Sequence, residues 1–155
     1  MTDIEGGKLL GHFYLDLYPR EGKFNHAAVF PMVKRSKLIS VGEVPSAAAM
    51  VCNFKKPTPD RPSTLYHNDV VTFFHEFGHV MHNICTKSNY SRFSGTSVER
   101  DFVELPSQML ENWVWHEDIL KRLSKHVDDG QSLPKELIEK KLAIKNLNEA
   151  TSTLQ

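Results

Sequence analysis

Only two cysteines, Cys52 and Cys85, occur in 155 residues. No framework of several disulfides can therefore staple the chain, and a reducing compartment is expected. Charge of one sign is also missing, since 19 Lys and Arg balance 19 Asp and Glu. That balance gives no reason to expect nucleic acid or an anionic membrane as the main partner. No run approaches the roughly 18 apolar residues that would span a bilayer. Residues 1–10 lack the basic start, apolar stretch and small-residue cleavage site of a secretory signal. A cytoplasmic protein is expected, with mitochondrial import through a segment outside this chain as the alternative. There is no internal repeat, and no low-complexity tract beyond Ala47-Ala48-Ala49.

What is present divides into two halves with different periodicity. Residues 13–17 are short, aromatic and partly alternating, and Tyr18-Pro-Arg-Glu-Gly22 supplies a turn after them. Residues 27–32 and 47–54 are further strand candidates, the first with Pro31 placing it at a sheet edge or ending it. Gly42, Pro45 and Ser46 mark a turn between them, and Lys34, Arg35 and Lys37 read as a solvated loop. Pro57, Pro59 and Pro62 form a stiff connector that cannot be helical. From Asn68 the period becomes 3.6. Val70, Phe74, Phe77, Met81 and Ile84 give the apolar face of a helix over 68–86. A second helix is expected over about 102–125, with Pro106 in its first turn and Met109, Leu110, Trp113 and Val114 packing inward. A third runs over about 134–148, with Leu137, Ile138, Leu142 and Leu147 on its apolar side. The expected fold class is α+β: a small N-terminal β-sheet in residues 11–56 followed by helices, in one domain.

His75-Glu76-Phe-Gly-His79 lies in the middle of the first of these helices. Residues four apart project from one face a turn apart, so both imidazoles can bind a single ion. The His-Glu-x-x-His pattern is an established zinc-peptidase signature. Catalytic zinc keeps three protein ligands and an open position for water. Glu76, about 100 degrees round the helix from His75, is placed to act as general base on that water and then as acid to the leaving amine. The same five residues could recur by chance on a buried helix. The apolar flanks Phe73, Phe74, Phe77 and Val80 weigh against that, because charge in such a segment needs a reason.

A third ligand must come from elsewhere, and the candidates are His82, Glu99, Asp101, Glu104 and Glu111. A single straight helix cannot easily offer three imidazoles to one tetrahedral ion, so His82 reads as a packed or supporting histidine. Gly and His are required three and six residues after the second zinc histidine in metzincins, but this chain has His82 and Cys85 there. Glu104, in Asp101-Phe-Val-Glu-Leu-Pro-Ser-Gln108, is flanked by apolar groups expected to bury it. Glu99 competes with it, although beside Arg100 it has the plain explanation of a solvated surface.

The chain resembles the thimet oligopeptidase and neurolysin family of zinc endopeptidases. The resemblance rests on Gly11-His-Phe-Tyr-Leu-Asp-Leu-Tyr-Pro-Arg-Glu-Gly-Lys23, Asn25-His-Ala-Ala28, Phe74-His-Glu-Phe-Gly-His-Val-Met-His82 and Phe93-Ser-Gly-Thr96. A longer match, Val98-Glu-Arg-Asp-Phe-Val-Glu-Leu-Pro-Ser-Gln-Met-Leu-Glu-Asn-Trp-Val-Trp115, completes it. It covers residues 11–126 well and the tail loosely. It implies a zincin-like core with one zinc ion held by His75, His79 and Glu104, and Glu76 as the catalytic residue. The family's third ligand falls on Glu104, with 24 residues between it and His79. The implied activity is endopeptidase cleavage of short peptides in a deep channel between two largely helical halves. Residues 47–51 look like an edge that would hold peptide by main-chain hydrogen bonds, with an ordinary core strand as the alternative. Family members are several times longer. The segment supplying a tyrosine and a histidine to stabilise the oxyanion has no match here. Such stabilisation is commonly worth about 3 to 4 kcal/mol of barrier. The chain is accordingly expected to be a partial catalytic region whose channel is completed by the remainder of a parent chain. The alternative function is a catalytically silent zinc-binding fragment.

Overall fold

A computed structural model describes residues 1–2, 7–40 and 42–145, in two compact units, 1–111 and 112–155. In the first unit, β1 (Gly11–Asp16), β2 (Ala28–Val33) and β5 (Ser46–Val51) form a sheet in the order β1-β5-β2. A hairpin, β3 (Ser36–Leu38) and β4 (Gly42–Val44), is separate from it. Four helical segments follow: α1 (His67–Cys85), a 3₁₀ turn at Ser91–Phe93, α2 (Arg100–Val103) and α3 (Leu105–Glu111). The fold is mixed α+β, as the two sequence periods require. Among the described residues, no helix is long and apolar enough to cross a membrane.

β5 is a central strand, which corrects its reading as a peptide-holding edge. It pairs in parallel with β1, Gly11 opposite Ser46 through Asp16 opposite Val51, and antiparallel with β2. Both rows of its main-chain groups are engaged, so none is left for a peptide. Ser46, Ala48 and Met50 alternate as its buried residues. β1 and β2 are the edges instead, β2 consistent with Pro31, which cannot donate to a ladder; the register shifts between Pro31 and Val33. The β3–β4 hairpin takes in Lys37, expected in a loop, because strands of three residues are too short for an alternation to be read.

Met50, Cys52, Phe54, Val80 and Ile84 form the core, with Phe73 and Phe77 packed against it. The sheet-facing stripe of α1 is thus Phe73, Phe77, Val80 and Ile84, rather than the Val70-Phe74-Phe77-Met81-Ile84 line; Phe74 and Met81 sit on its half-buried shoulder. Rings of Phe73 and Phe77 stack at 5.9 Å, and Phe13 meets Phe77 edge-on at 5.7 Å. Full burial of one such side chain is worth about 1.5–3 kcal/mol, so this stripe fixes the helix on the sheet. Cys52 is buried, and its thiol is pushed up to about 11 by that burial and by the nearby charge of Glu76. Cys85 is exposed.

The ends of β1 and β5 are tied by Lys23, whose side chain is 2% exposed. Its ammonium donates to Asp16 O at 2.9 Å, Asp16 Oδ1 at 3.0 Å and Tyr18 O at 2.7 Å, and also to the Cys52 carbonyl. Arg20 grips both Asp16 oxygens at 2.7 Å. Arg20 first and Lys23 second hold the Asp16 carboxyl below its ordinary value of 3.8. A depressed carboxylate stabilises the fold above its unfolded pKa and loses that contribution as pH falls through the folded one. Asp16→Asn should therefore lower the melting temperature at neutral pH, and the gap from wild type should close as pH falls below about 3.8. An equal gap at pH 7 and at pH 3 would rule this out.

The expected single helix over 102–125 is broken into several pieces. Pro106 has no N–H to give a preceding carbonyl, so α2 ends at Val103 and α3 restarts with Pro106 in its first turn. After Glu111 the run Asn112–Trp115, poor in strong helix formers, forms a 3₁₀ turn, and His116 is extended before α4 (Glu117–Leu123). Met109 and Trp113, expected to pack inward, are exposed; Ser107 and Val114 are the buried positions. In the second unit α4 precedes α5 (Lys135–Ile144), with Leu120 and Ile138 buried and Lys141 and Lys145 over the Trp115 ring. Leu147 and Asn148, placed in the third helix by periodicity, lie outside the described residues.

Candidate metal centre

α1 presents a second face to α3, and it carries the histidines. Asp69 accepts the Tyr66 N–H at 2.9 Å where the helix begins, and its negative charge suits an N-terminus. Two turns on, the His75 and His79 rings stand edge-on with centroids 5.1 Å apart, as a four-residue spacing demands. Gly78 lies between them in sequence and is buried. A Cβ there would fall on Ser107 Cα, 2.7 Å from the Pro106 carbonyl oxygen and 2.8 Å from Ser107 N. Only glycine lets α3 approach so closely.

That approach delivers Glu104. Its Oε2 lies 3.4 Å from His75 Nε2 and 3.2 Å from His79 Nε2. The hydroxyl of buried Ser107 sits 2.8 Å from both Glu104 Oε2 and the Glu104 carbonyl, so its proton steadies the carboxylate against its own backbone. Behind His75, its Nδ1 meets Glu111 Oε1 at 2.5 Å. His79 Nδ1 is buried and has no hydrogen-bond partner among the described residues.

The donor set fits a tetrahedral cation. Ligand atoms about 2.1 Å from such an ion lie about 3.4 Å from one another, and the two nitrogen–oxygen separations are 3.4 and 3.2 Å. One ligand atom from each of His75, His79 and Glu104 falls within 4.8 Å of the others, so the three form a possible metal site. A neutral imidazole has one N–H and one lone pair. With His75 Nδ1 turned to Glu111, a neutral ring sets its Nε2 lone pair towards an anionic oxygen, an arrangement that a shared cation relieves. Burial foremost holds the His79 pKa down, which favours the neutral form a metal needs. Glu76, 8% exposed, has its pKa raised, chiefly by burial and further by the charge of Glu104. It lies on the helix between the sheet-facing stripe and the histidine face.

Of the five candidates for a third partner, the fold brings only Glu104 to both histidines. Glu99 and Asp101 are exposed. His82 packs edge-on against Phe102 at 6.1 Å, with burial lowering its pKa. Glu104 is less enclosed than its flanks suggested, because Phe102 and Leu105 are themselves exposed. Sequence reasoning missed Ser107, and it weighed Glu111 only as a ligand, not as the partner behind His75. Glu104 and Glu111 are seven residues apart, two helical turns, and that spacing was the available signal.

A helix bearing His-Glu-x-x-His, the pattern of a zinc-peptidase signature, thus faces one carboxylate supplied from the junction of α2 and α3. The chain belongs to peptidase family M3, whose sequence model matches residues 1–155. It is 57% identical over 148 residues to a thimet-like oligopeptidase of Dictyostelium discoideum, covering 94% of this chain and 22% of that protein. It is 43% identical over 156 residues to saccharolysin of Saccharomyces cerevisiae, covering 100% of this chain and 22% of the relative. Oligopeptidase A of Escherichia coli is 41% identical over 152 residues, 97% of this chain and 22% of the relative. The resemblance to the thimet oligopeptidase family thus holds over the whole chain, which spans about a fifth of the length of these relatives.

Proposed function

We propose that this chain is the metal-binding core of a zinc metalloendopeptidase acting on short oligopeptides. In this reading the core is zincin-like and forms part of a catalytic domain over 1–155. His75, His79 and Glu104 hold one zinc ion, and Glu76 is the catalytic residue. The observation that carries it is the convergence of two imidazole nitrogens on one Glu104 oxygen at 3.4 and 3.2 Å. Zinc, when bound, supplies a Lewis acid that polarises a peptide carbonyl and makes water acidic enough to react near neutral pH. Glu76 accepts the proton that water gives up and returns it to the leaving amine. Its burial keeps bulk water from competing for the proton. Ser107 fixes the orientation of Glu104. The whole protein would be cytoplasmic or mitochondrial, and exposed Phe30, Met32 and Val33 on β2 would be covered by the remainder of its chain.

Glu76→Gln tests this reading. The variant should bind zinc as wild type does, one ion per chain, and cleave a quenched fluorescent peptide about 10²–10⁴-fold more slowly. Unchanged cleavage by Glu76→Gln would remove Glu76 from its role. A second reading follows from the chain covering only 22% of its relatives: a zinc-binding piece without turnover. One equivalent of zinc with no cleavage by wild type would favour it, and no zinc at all would reject both.

A further inference from the structure

We propose that Glu111 is the positioning residue of this centre, holding the His75 ring so that its Nε2 lone pair faces the ion. The inference rests on the zinc-binding reading and adds a residue to it. Glu111 Oε1 lies 2.5 Å from His75 Nδ1, the shortest polar contact in the cluster, and both side chains are partly buried. An imidazole bound through Nε2 must carry its proton on Nδ1, and a carboxylate accepting that proton fixes tautomer and ring angle together. The support is one-sided, because His79 Nδ1 has no partner among the described residues. Glu111 ends α3, two turns beyond Glu104, so a single approach of the stretch 104–111 brings the ligand to one side of His75 and the acceptor to the other. The alternative is a surface ion pair with protonated His75, which metal binding would break rather than use.

The test uses the 155-residue chain as wild type, Glu111→Ala and Glu111→Gln. Zinc affinity is read by competition with a chromophoric chelator, folding by circular dichroism, and the His75 tautomer by long-range proton–nitrogen NMR. Wild type should show the proton on Nδ1 with and without zinc. Glu111→Ala should bind zinc about 10–100-fold more weakly. Glu111→Gln keeps an acceptor oxygen and should recover to within about tenfold of wild type. Unchanged affinity in Glu111→Ala, or a proton on Nε2 in wild type, overturns the proposal. Should Glu111→Ala fail to fold, the wild-type tautomer and Glu111→Gln decide. Wild type that takes no zinc overturns the metal reading and this proposal with it, whereas zinc-loaded wild type matched by Glu111→Ala overturns this proposal alone.

Discussion

Gly78→Ala is expected to destabilise the chain and weaken its zinc site at once. Two effects oppose each other. Alanine favours a helix interior over glycine by about 1 kcal/mol, whereas forcing a methyl group into closed packing costs about 1–3 kcal/mol. The atoms met at this position are backbone: the Pro106 carbonyl oxygen at 2.7 Å and Ser107 N at 2.8 Å, besides Ser107 Cα. They cannot swing aside as a side chain would, so the steric cost should win and leave a net loss of up to about 2 kcal/mol. If α3 retreats to make room, Glu104 leaves both histidines while α1 keeps them in place. Urea denaturation and chelator competition would measure the two losses. A variant as stable as wild type with undiminished zinc affinity would mean that the α1–α3 contact does not set the site.

The second large effect is expected from Glu104→Ala. Removing a partner behind a ligand costs about 10–100-fold in metal affinity, so removing a ligand should cost more than about 100-fold. Its side chain is 46% exposed, so metal-free stability should change little. The distinguishing readout is stabilisation by the metal. At free zinc of 100 times the wild-type dissociation constant, binding contributes about 2.7 kcal/mol. A 100-fold weaker variant at the same concentration gains only about 0.4 kcal/mol. Wild type should therefore melt at a clearly higher temperature with zinc, and Glu104→Ala should barely respond. An equal response in both would place the third ligand elsewhere.

How far the site could be read from residues alone depended on how local each feature is. His75, Glu76 and His79 share one helix, so a period of 3.6 and a five-residue motif were enough to set them on it. The partners on the following segments were harder, because a chain reversal separates them from the histidines and spacing alone says little about where a loop returns. Glu104 was one of five candidates by residue type and the family's ligand by resemblance, and of Glu104 and Glu99 it is the one whose carboxylate lies near both rings. Gly78 lies inside the five-residue motif, where spacing gives it no role of its own. Its reason, the backbone of Ser107 against it, depends on tertiary packing. Phe74 and Met81 were placed on the apolar face, but they are half-buried rather than in the core, because apolar character does not distinguish the centre of a face from its shoulder. Residues 102–125 read as one helix because Pro106 is tolerated in a first turn and the weak helix formers at 112–115 carry no sharp stop signal. Lys23, an ammonium that looks solvated in sequence, is enclosed because four carbonyl or carboxylate oxygens converge on it.

The row Ser46, Ala48 and Met50 runs beneath α1, and Ser46 Oγ donates to the Asn83 carbonyl near the end of that helix. Ala48 is fully buried in the middle of the row, and it sets how low the helix rides. A bulkier residue there would lift His75, Glu76 and His79 as one rigid body, preserving their mutual spacing while changing their height relative to Glu104. The floor beneath α1 would thus tune the aperture of the proposed cation cage without touching it.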